Sequence, residues 1–435
     1  MAHNENTVSQ TLIDLGEVPD HRATPTAVPR PPVPYRALLG ALSVVLLALL
    51  AGAGHQRQPL APTVIPARLG DSFTLDGDRM YIIGAGGVDS FDAVRDRVVT
   101  VYQLPSMRML SRTTVAVAGT VVGVEQAANT MLVGYQLDSS GNQETVAYPV
   151  GGGQVLWRRP DRLVSASAAD GIALLSASDG DVAIDLATGR ERWKVARPAD
   201  GFVAESGNGS GYPDWVVVLS DSGRLETWDA HTGRRQATAT VPGGADRITG
   251  LLWPVSSYLL ISTGAGYDAY RLPGLRRLWH TPVDLSQSWM QTDCGGVICT
   301  FRQQQGMTVL DPADGHVLWG SATWAYAEPV GRYLLATMGA AEGDVSSLWV
   351  LDPRTGQVLG NFGAWEGLGP AGDGLLYGRR EVRGDYRVFY GVLDPADRSV
   401  DVLGLADRVS GGCETSAGVL VCRLVDASVA VWRLR

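Results

Sequence analysis

The chain has 435 residues, of which 45% are hydrophobic and 19% charged, with 53 glycines and a formal net charge of −9. That apolar share supplies a core, and the composition excludes a wholly disordered chain, a fibrous repeat, a coiled coil and a multi-span membrane protein. Lysine occurs once, at Lys194, and no arginine block interrupts the acidic balance, so nucleic acid is not an expected partner. Residues 1–36 read as a cytoplasmic, disordered tail. Pro25, Pro29, Pro31, Pro32 and Pro34 favour extended polyproline II and forbid a helix there. Within the tail, residues 11–18 (TLIDLGEV) read as a few apolar residues in a polar segment, with a recruitment motif as the alternative.

Residues 37–54 (ALLGALSVVLLALLAGAG) carry no charge. As a helix they would reach roughly 27 Å, close to the thickness of a hydrocarbon layer. Arg22, Arg30 and Arg36 precede the segment, which predicts a single transmembrane helix with its N-terminus in the cytoplasm. Ala51-Gly52-Ala53 resembles a signal-peptidase site, so a cleaved signal peptide is the alternative. Both readings export the rest of the chain, which gives an extracytoplasmic location at the cell membrane. Residues 55–69 read as a proline-spaced linker.

From residue 70 to 435 the chain repeats. Six segments share an apolar strand, an Asp or its substitute, a four-residue step to a turn, and a second strand: VAIDLATGRERW (182–193), LETWDAHTGRRQ (225–236), YDAYRLPGLRRLW (267–279), MTVLDPADGHVLW (307–319), LWVLDPRTGQVLG (348–360) and YGVLDPADRSVDV (390–402). Their anchors, Asp185, Asp229, Arg271, Asp311, Asp352 and Asp394, are spaced 44, 42, 40, 41 and 42 residues apart. Fainter copies at 101–110, 146–157 and 429–435 bring the anchors to nine. A period of 40 to 45 is that of propeller blades. Intervening runs such as 81–83, 215–219, 258–261 and 333–336 are short, β-rich and bounded by turn residues. The predicted fold is therefore all-β: a single propeller of about eight four-stranded blades, with seven to nine compatible with the anchors. The last segment, 429–435, is a strand, as ring closure with the opposite chain end requires.

Asp185, Thr188, Gly189 and Trp193 spell D-x-x-T-G-x-x-x-W. Asp311, Gly315 and Trp319 repeat it without the Thr, Gly153 and Trp157 keep its second half, and Asp352, Thr355 and Gly356 lose the Trp to Gly360. This resembles the repeat of pyrroloquinoline-quinone-type β-propellers, shared by quinoprotein dehydrogenases and by non-enzymatic relatives such as the BamB-like assembly factors. The resemblance implies that Trp157, Trp193, Trp279 and Trp319 stack on a neighbouring blade's glycine turn. It also implies what an enzyme of the family needs: adjacent cysteines over the quinone and a calcium held by Glu, Asn and Asp. This chain has no adjacent cysteines, and after the apolar segment its only asparagines are Asn129, Asn142, Asn208 and Asn361.

Other chemistry is sparse. His231, His280 and His316 sit at or beside three successive turns without metal-ligand spacing. Gly84-Ala85-Gly86-Gly87 does not match a phosphate-binding loop, and Asp179-Gly180-Asp181 reads as a hairpin turn rather than a calcium loop. Cys294 with Cys299, and Cys413 with Cys422, bracket the link between the first two strands of their blades, which predicts two local disulfides in an exported chain. The expected protein is a non-enzymatic, membrane-anchored binding or scaffold module of the envelope, with no cofactor and no metal. Its partner, a protein or another envelope component, is expected on a propeller face, with wide connections at 84–97, 205–214 and 338–346 as candidate contacts. The alternatives are a ligand-sensing propeller signalling through a separate partner and, third, a quinone-dependent dehydrogenase.

Overall fold

The computed structural model describes residues 38–44, 61–85, 94–137, 141–206, 211–242, 252–263, 265–285, 288–302, 305–338, 347–382 and 384–434. The N-terminal unit, residues 1–57, is described only at 38–44, which form one short exposed helix. Among the described residues no helix is long and apolar enough to cross a membrane; positions 37 and 45–54 of the expected span lie outside them.

Residues 58–435 form the second unit, and its described strands fall into nine four-stranded antiparallel sheets. Blades 1 to 8 are consecutive meanders at 72–118, 120–159, 162–196, 202–240, 252–281, 288–321, 324–361 and 366–406. Blade 9 consists of Val409–Ser416, Val419–Leu424 and Val429–Arg433, and its outermost strand is Thr63–Ile65 from the other end of the chain. That strand pairs Thr63 with Val431 and Ile65 with Val429, the closure the terminal strand requires. It lies inside the stretch expected as linker. The blade number is nine rather than eight. The faint copies at 101–110 and 146–157 lack the Asp, yet each is a complete third-to-fourth strand hairpin.

Burial explains the strand pattern. Second and third strands are apolar runs buried on both faces, as at Ile172–Ala177 and Gly180–Asp185, because a blade lies against each side. Fourth strands, such as Arg235–Thr240, are largely exposed at the rim. The apolar core divides into nine clusters, each joining two successive blades, including one that joins Ile65, Val419 and Val431 of blade 9 to Met80 and Ile82 of blade 1. First strands of neighbouring blades touch at the junctions 1–2, 2–3, 4–5, 5–6, 8–9 and 9–1, and as the innermost strands of their blades they line the central opening. In each meander the 2–3 and 4–1 connections lie at one end of the strands, and the 1–2 and 3–4 turns lie at the other.

Candidate functional site

The repeat residues build the 3–4 turns. In each of three blades one Asp oxygen accepts the backbone N–H and the hydroxyl of the Thr three residues on: Asp185 Oδ1 from Thr188 (3.0 and 2.9 Å), Asp229 Oδ1 from Thr232, and Asp352 Oδ1 from Thr355. The following glycine, at positive φ, donates to the Asp carbonyl, as Gly189 N does to Asp185 O at 2.8 Å. The previous blade's tryptophan covers that glycine: a Cβ on Gly189 would lie 2.6 Å from Trp157, on Gly233 2.4 Å from Trp193, on Gly315 2.3 Å from Trp279 and on Gly356 2.6 Å from Trp319. Trp157, Trp279 and Trp319 also donate their indole N–H to the turn, at Leu186 O, Pro312 O and Pro353 O. Between blades 3 and 4 the matching carbonyl, Ala230 O, accepts the Tyr212 hydroxyl instead, and the buried Trp193 N–H has no partner among the described residues. Asp311 accepts Ala313 N–H and takes Arg354 of the next blade at 2.7 Å. The Asp, Thr and Gly groups thus fix each turn, and the tryptophans and Arg354 tie that turn to the adjacent blade.

Both cysteine pairs are joined, Cys294 to Cys299 and Cys413 to Cys422. The three histidines lie apart, each on its own carboxylate: His231 on Asp170 (2.7 Å), His280 on Asp268 (2.8 Å) and His316 on Asp314 (2.5 Å). Among the described residues no three His, Cys, Asp or Glu side chains are grouped to hold a metal ion. Of the expected contact loops, residues 86–93, 207–210 and 339–346 lie outside the described residues.

The chemistry that sequence reading missed is on the first strands. They carry Asp76, Glu125, Glu205, Asp293, Glu328, Glu366 and Glu414 against one cation, Arg162. Register places three of these acids on one rung. Glu125 pairs across to Leu132 and Ala147, Glu328 to Leu335 and Val350, and Glu414 to Val421 and Val431. They belong to blades 2, 7 and 9, so around the ring they alternate with Gly369 of blade 8 and Thr74 of blade 1 on the same rung. Burial raises the affinity of all three for a proton; only for Glu125 do the Ala166 N–H, at 2.9 Å, and Ser165 pull back. A local signal marks the position. Each Glu stands three residues before the left-handed residue of a two-residue hairpin: Ala128, Gly331 and Ala417.

Two concavities open beside this rung. One of about 790 Å³ is lined by Asp76, Glu125, Arg162 and Ser165 on blades 1 to 3, with Ser416 of blade 9. The other, about 950 Å³, lies between blades 7 and 8 and is lined by Tyr326, Glu328, Leu335, Trp365, Glu366 and Arg379 among others. The first strand of blade 8, Glu366–Gly372, has glycine at 367, 369 and 372, and so presents few side chains to close that gap. A Cβ at Gly367 would stand 2.9 Å from Glu328 Oε1, so glycine there leaves room for the carboxylate.

No curated protein sequence matches the chain. Among solved structures it is similar to BamB from Moraxella catarrhalis, with 15% identity over 86% of this chain and 97% of that one and a TM-score of 0.43. It is similar to the computationally designed Ika8 protein, with 15% identity over 72% and 96% and a TM-score of 0.41. A third similar structure is the dihydro-heme d1 dehydrogenase NirN in complex with DHE, with 14% identity over 78% and 77% and a TM-score of 0.44. The family model described as outer membrane protein assembly factor BamB matches residues 95–321, just over half of the chain. On that match, and on the tryptophan–glycine turns that run through it, the chain belongs to the BamB-like family of pyrroloquinoline-quinone-type β-propellers.

Proposed function

We propose that this protein is a non-enzymatic binding module of the cell envelope: a propeller held outside the membrane by residues 37–54, with the N-terminus in the cytoplasm, that docks a protein partner. The observation that carries the reading is the family match, because the family is described by an assembly factor, a protein that works by contact. Two features agree with it. The repeat's own polar side chains are spent on building the 3–4 turns, and further charge collects on the first strands and the cavities beside them. The anchor rests on 18 uncharged residues preceded by three arginines.

Topology and activity have separate tests. A reporter active only after export, fused behind Arg435, should be active, and the mature protein should keep residues 1–36 by mass spectrometry. Loss of residues 1–53 would replace the anchor with a signal peptide. Turnover of an alcohol or sugar by the purified protein with pyrroloquinoline quinone and calcium would overturn the non-enzymatic reading.

A further inference from the structure

The cavity between blades 7 and 8 has a definite chemical character. Its walls include the apolar side chains of Leu335, Leu348 and Trp365, together with Tyr326, whose ring stacks on Phe301 at 5.6 Å. Its charged lining is Glu328, Glu366, Glu381 and Asp385 against one cation, Arg379. Arg379 is already engaged: Nε and Nη2 each reach Glu366 Oε2 at 2.7 Å, while Nη1 is buried and unpartnered among the described residues. Glu366 and Glu381 are mostly exposed, but Glu328 is half-buried, and its carboxylate lines both this cavity and a smaller one of about 380 Å³. Burial raises its proton affinity, and among the described residues no arginine or backbone N–H offsets it.

A half-buried carboxylate without a counter-charge is costly unless something that arrives supplies one. The excess of acids excludes an anionic guest, and a wholly apolar guest would bury Glu328 uncompensated. A guanidinium or ammonium on a long apolar stem meets both demands, its stem along the leucines and Tyr326 and its head at the carboxylate. About 950 Å³ is more than one side chain fills and suits two or three residues of extended chain.

We propose that the blade 7–8 cavity docks an extended segment of a protein partner through an arginine or lysine side chain, with Glu328 receiving the cation. The proposal rests on the reading of the propeller as a binding module and gives that module a specificity.

Blocked pentapeptides of the form Gly-Leu-X-Leu-Gly, with X as arginine, lysine, citrulline or glutamate, titrated calorimetrically into the full-length protein, test it. The arginine and lysine peptides should bind, more weakly as salt rises. The citrulline and glutamate peptides should bind at least tenfold more weakly. Glu328→Gln should cost the arginine peptide at least tenfold, and Gly367→Ala, which sets a methyl against the carboxylate, should do the same. Glu414→Gln, on the same rung two blades away, should leave affinity within twofold. Equal binding of the citrulline peptide, or no effect of Glu328→Gln in a protein with an unchanged melting curve, would overturn the proposal. Agmatine binding as tightly as the arginine peptide would make the site a small-cation receptor and also overturn it. Photo-crosslinking in membranes separates this proposal from the broader reading, using a probe at Tyr386, exposed beside Asp385, and another at Arg190 on the opposite turns. Capture from Arg190 alone removes the cavity proposal and keeps the binding module; capture from neither removes both.

Discussion

Gly360 and Arg398 show how individual residues hold this ring together. Blade 7 has glycine where blades 2, 3, 5 and 6 have the covering tryptophan, and blade 8 has Arg398, at positive φ, where blades 3, 4, 6 and 7 have glycine. The large and small partners have traded places: a Cβ on Gly360 would lie 2.7 Å from Arg398 Cδ, and the guanidinium donates to Leu359 O. Ala237 and Leu275, also at positive φ, make a similar exchange between blades 4 and 5. Gly360→Trp alone should therefore destabilise by about 1–3 kcal/mol through overpacking. Adding Arg398→Gly should recover most of it, with a coupling above about 1 kcal/mol in a denaturation double-mutant cycle. Asp181 is the opposite case, a residue at odds with its position. It is fully buried at a third-strand site filled elsewhere by Leu225, Tyr267 and Met307, and neither carboxylate oxygen has a hydrogen-bond partner of good geometry among the described residues. Burial first, then the charge of Glu205, pushes its pKa up to about 7, against weaker downward pulls from Ser176, Arg197 and Arg162. Between its ordinary value of 3.8 and about 7 the unfolded chain gives up this proton while the folded protein keeps it. Stability should thus fall as pH rises through that window and level off above it. Asp181→Asn should leave stability near pH 3.5 almost unchanged and raise it at pH 8 by on the order of 2 kcal/mol, read from urea melts at both pH values.

At the scale of strands, third-to-fourth hairpins were legible from sequence and first strands were not. The 3–4 turn must place Asp, Thr and Gly at fixed offsets, and a tryptophan must reach the next turn, so its chemistry is written in a recognisable order. First strands answer to the opening as well as to the core. Trp253, Thr292, Gly369 and Glu328 share one rung without sharing a property. For that reason the glutamate rung and the blade 7–8 cavity escape a reading tuned to repeats, although the glutamate's offset from the hairpin was present in the letters. The two disulfides staple first strands to second strands, where pairing is interrupted by register shifts at 288/290, 409/411 and 411/414. Replacing Cys413 and Cys422 together by Ala should cost about 2–3 kcal/mol on the chain-entropy account, seen as a lower Tm with the circular-dichroism spectrum of the folded ring retained.

The whole propeller has no central core. Its apolar interior is a circle of nine layers, each shared by two blades, so every blade is a neighbour's support and none is an end. The circle also explains why nine anchors make nine blades: blade 9, which has no 3–4 turn, is completed by the N-terminal strand instead. Deleting residues 61–66 should leave the edge of Val429–Arg433 open, and the truncated protein should lose cooperativity on melting and self-associate in size-exclusion chromatography. The same joint sets a timetable for synthesis. Thr63–Ile65 is made before any blade, yet its partner, Val429–Arg433, is made after all the others, so the strand waits unpaired while more than three hundred residues follow it. A chain released early has nothing on which that strand can close. Only synthesis as far as Val431 supplies that partner, so the ring carries a free edge until its ninth blade is made.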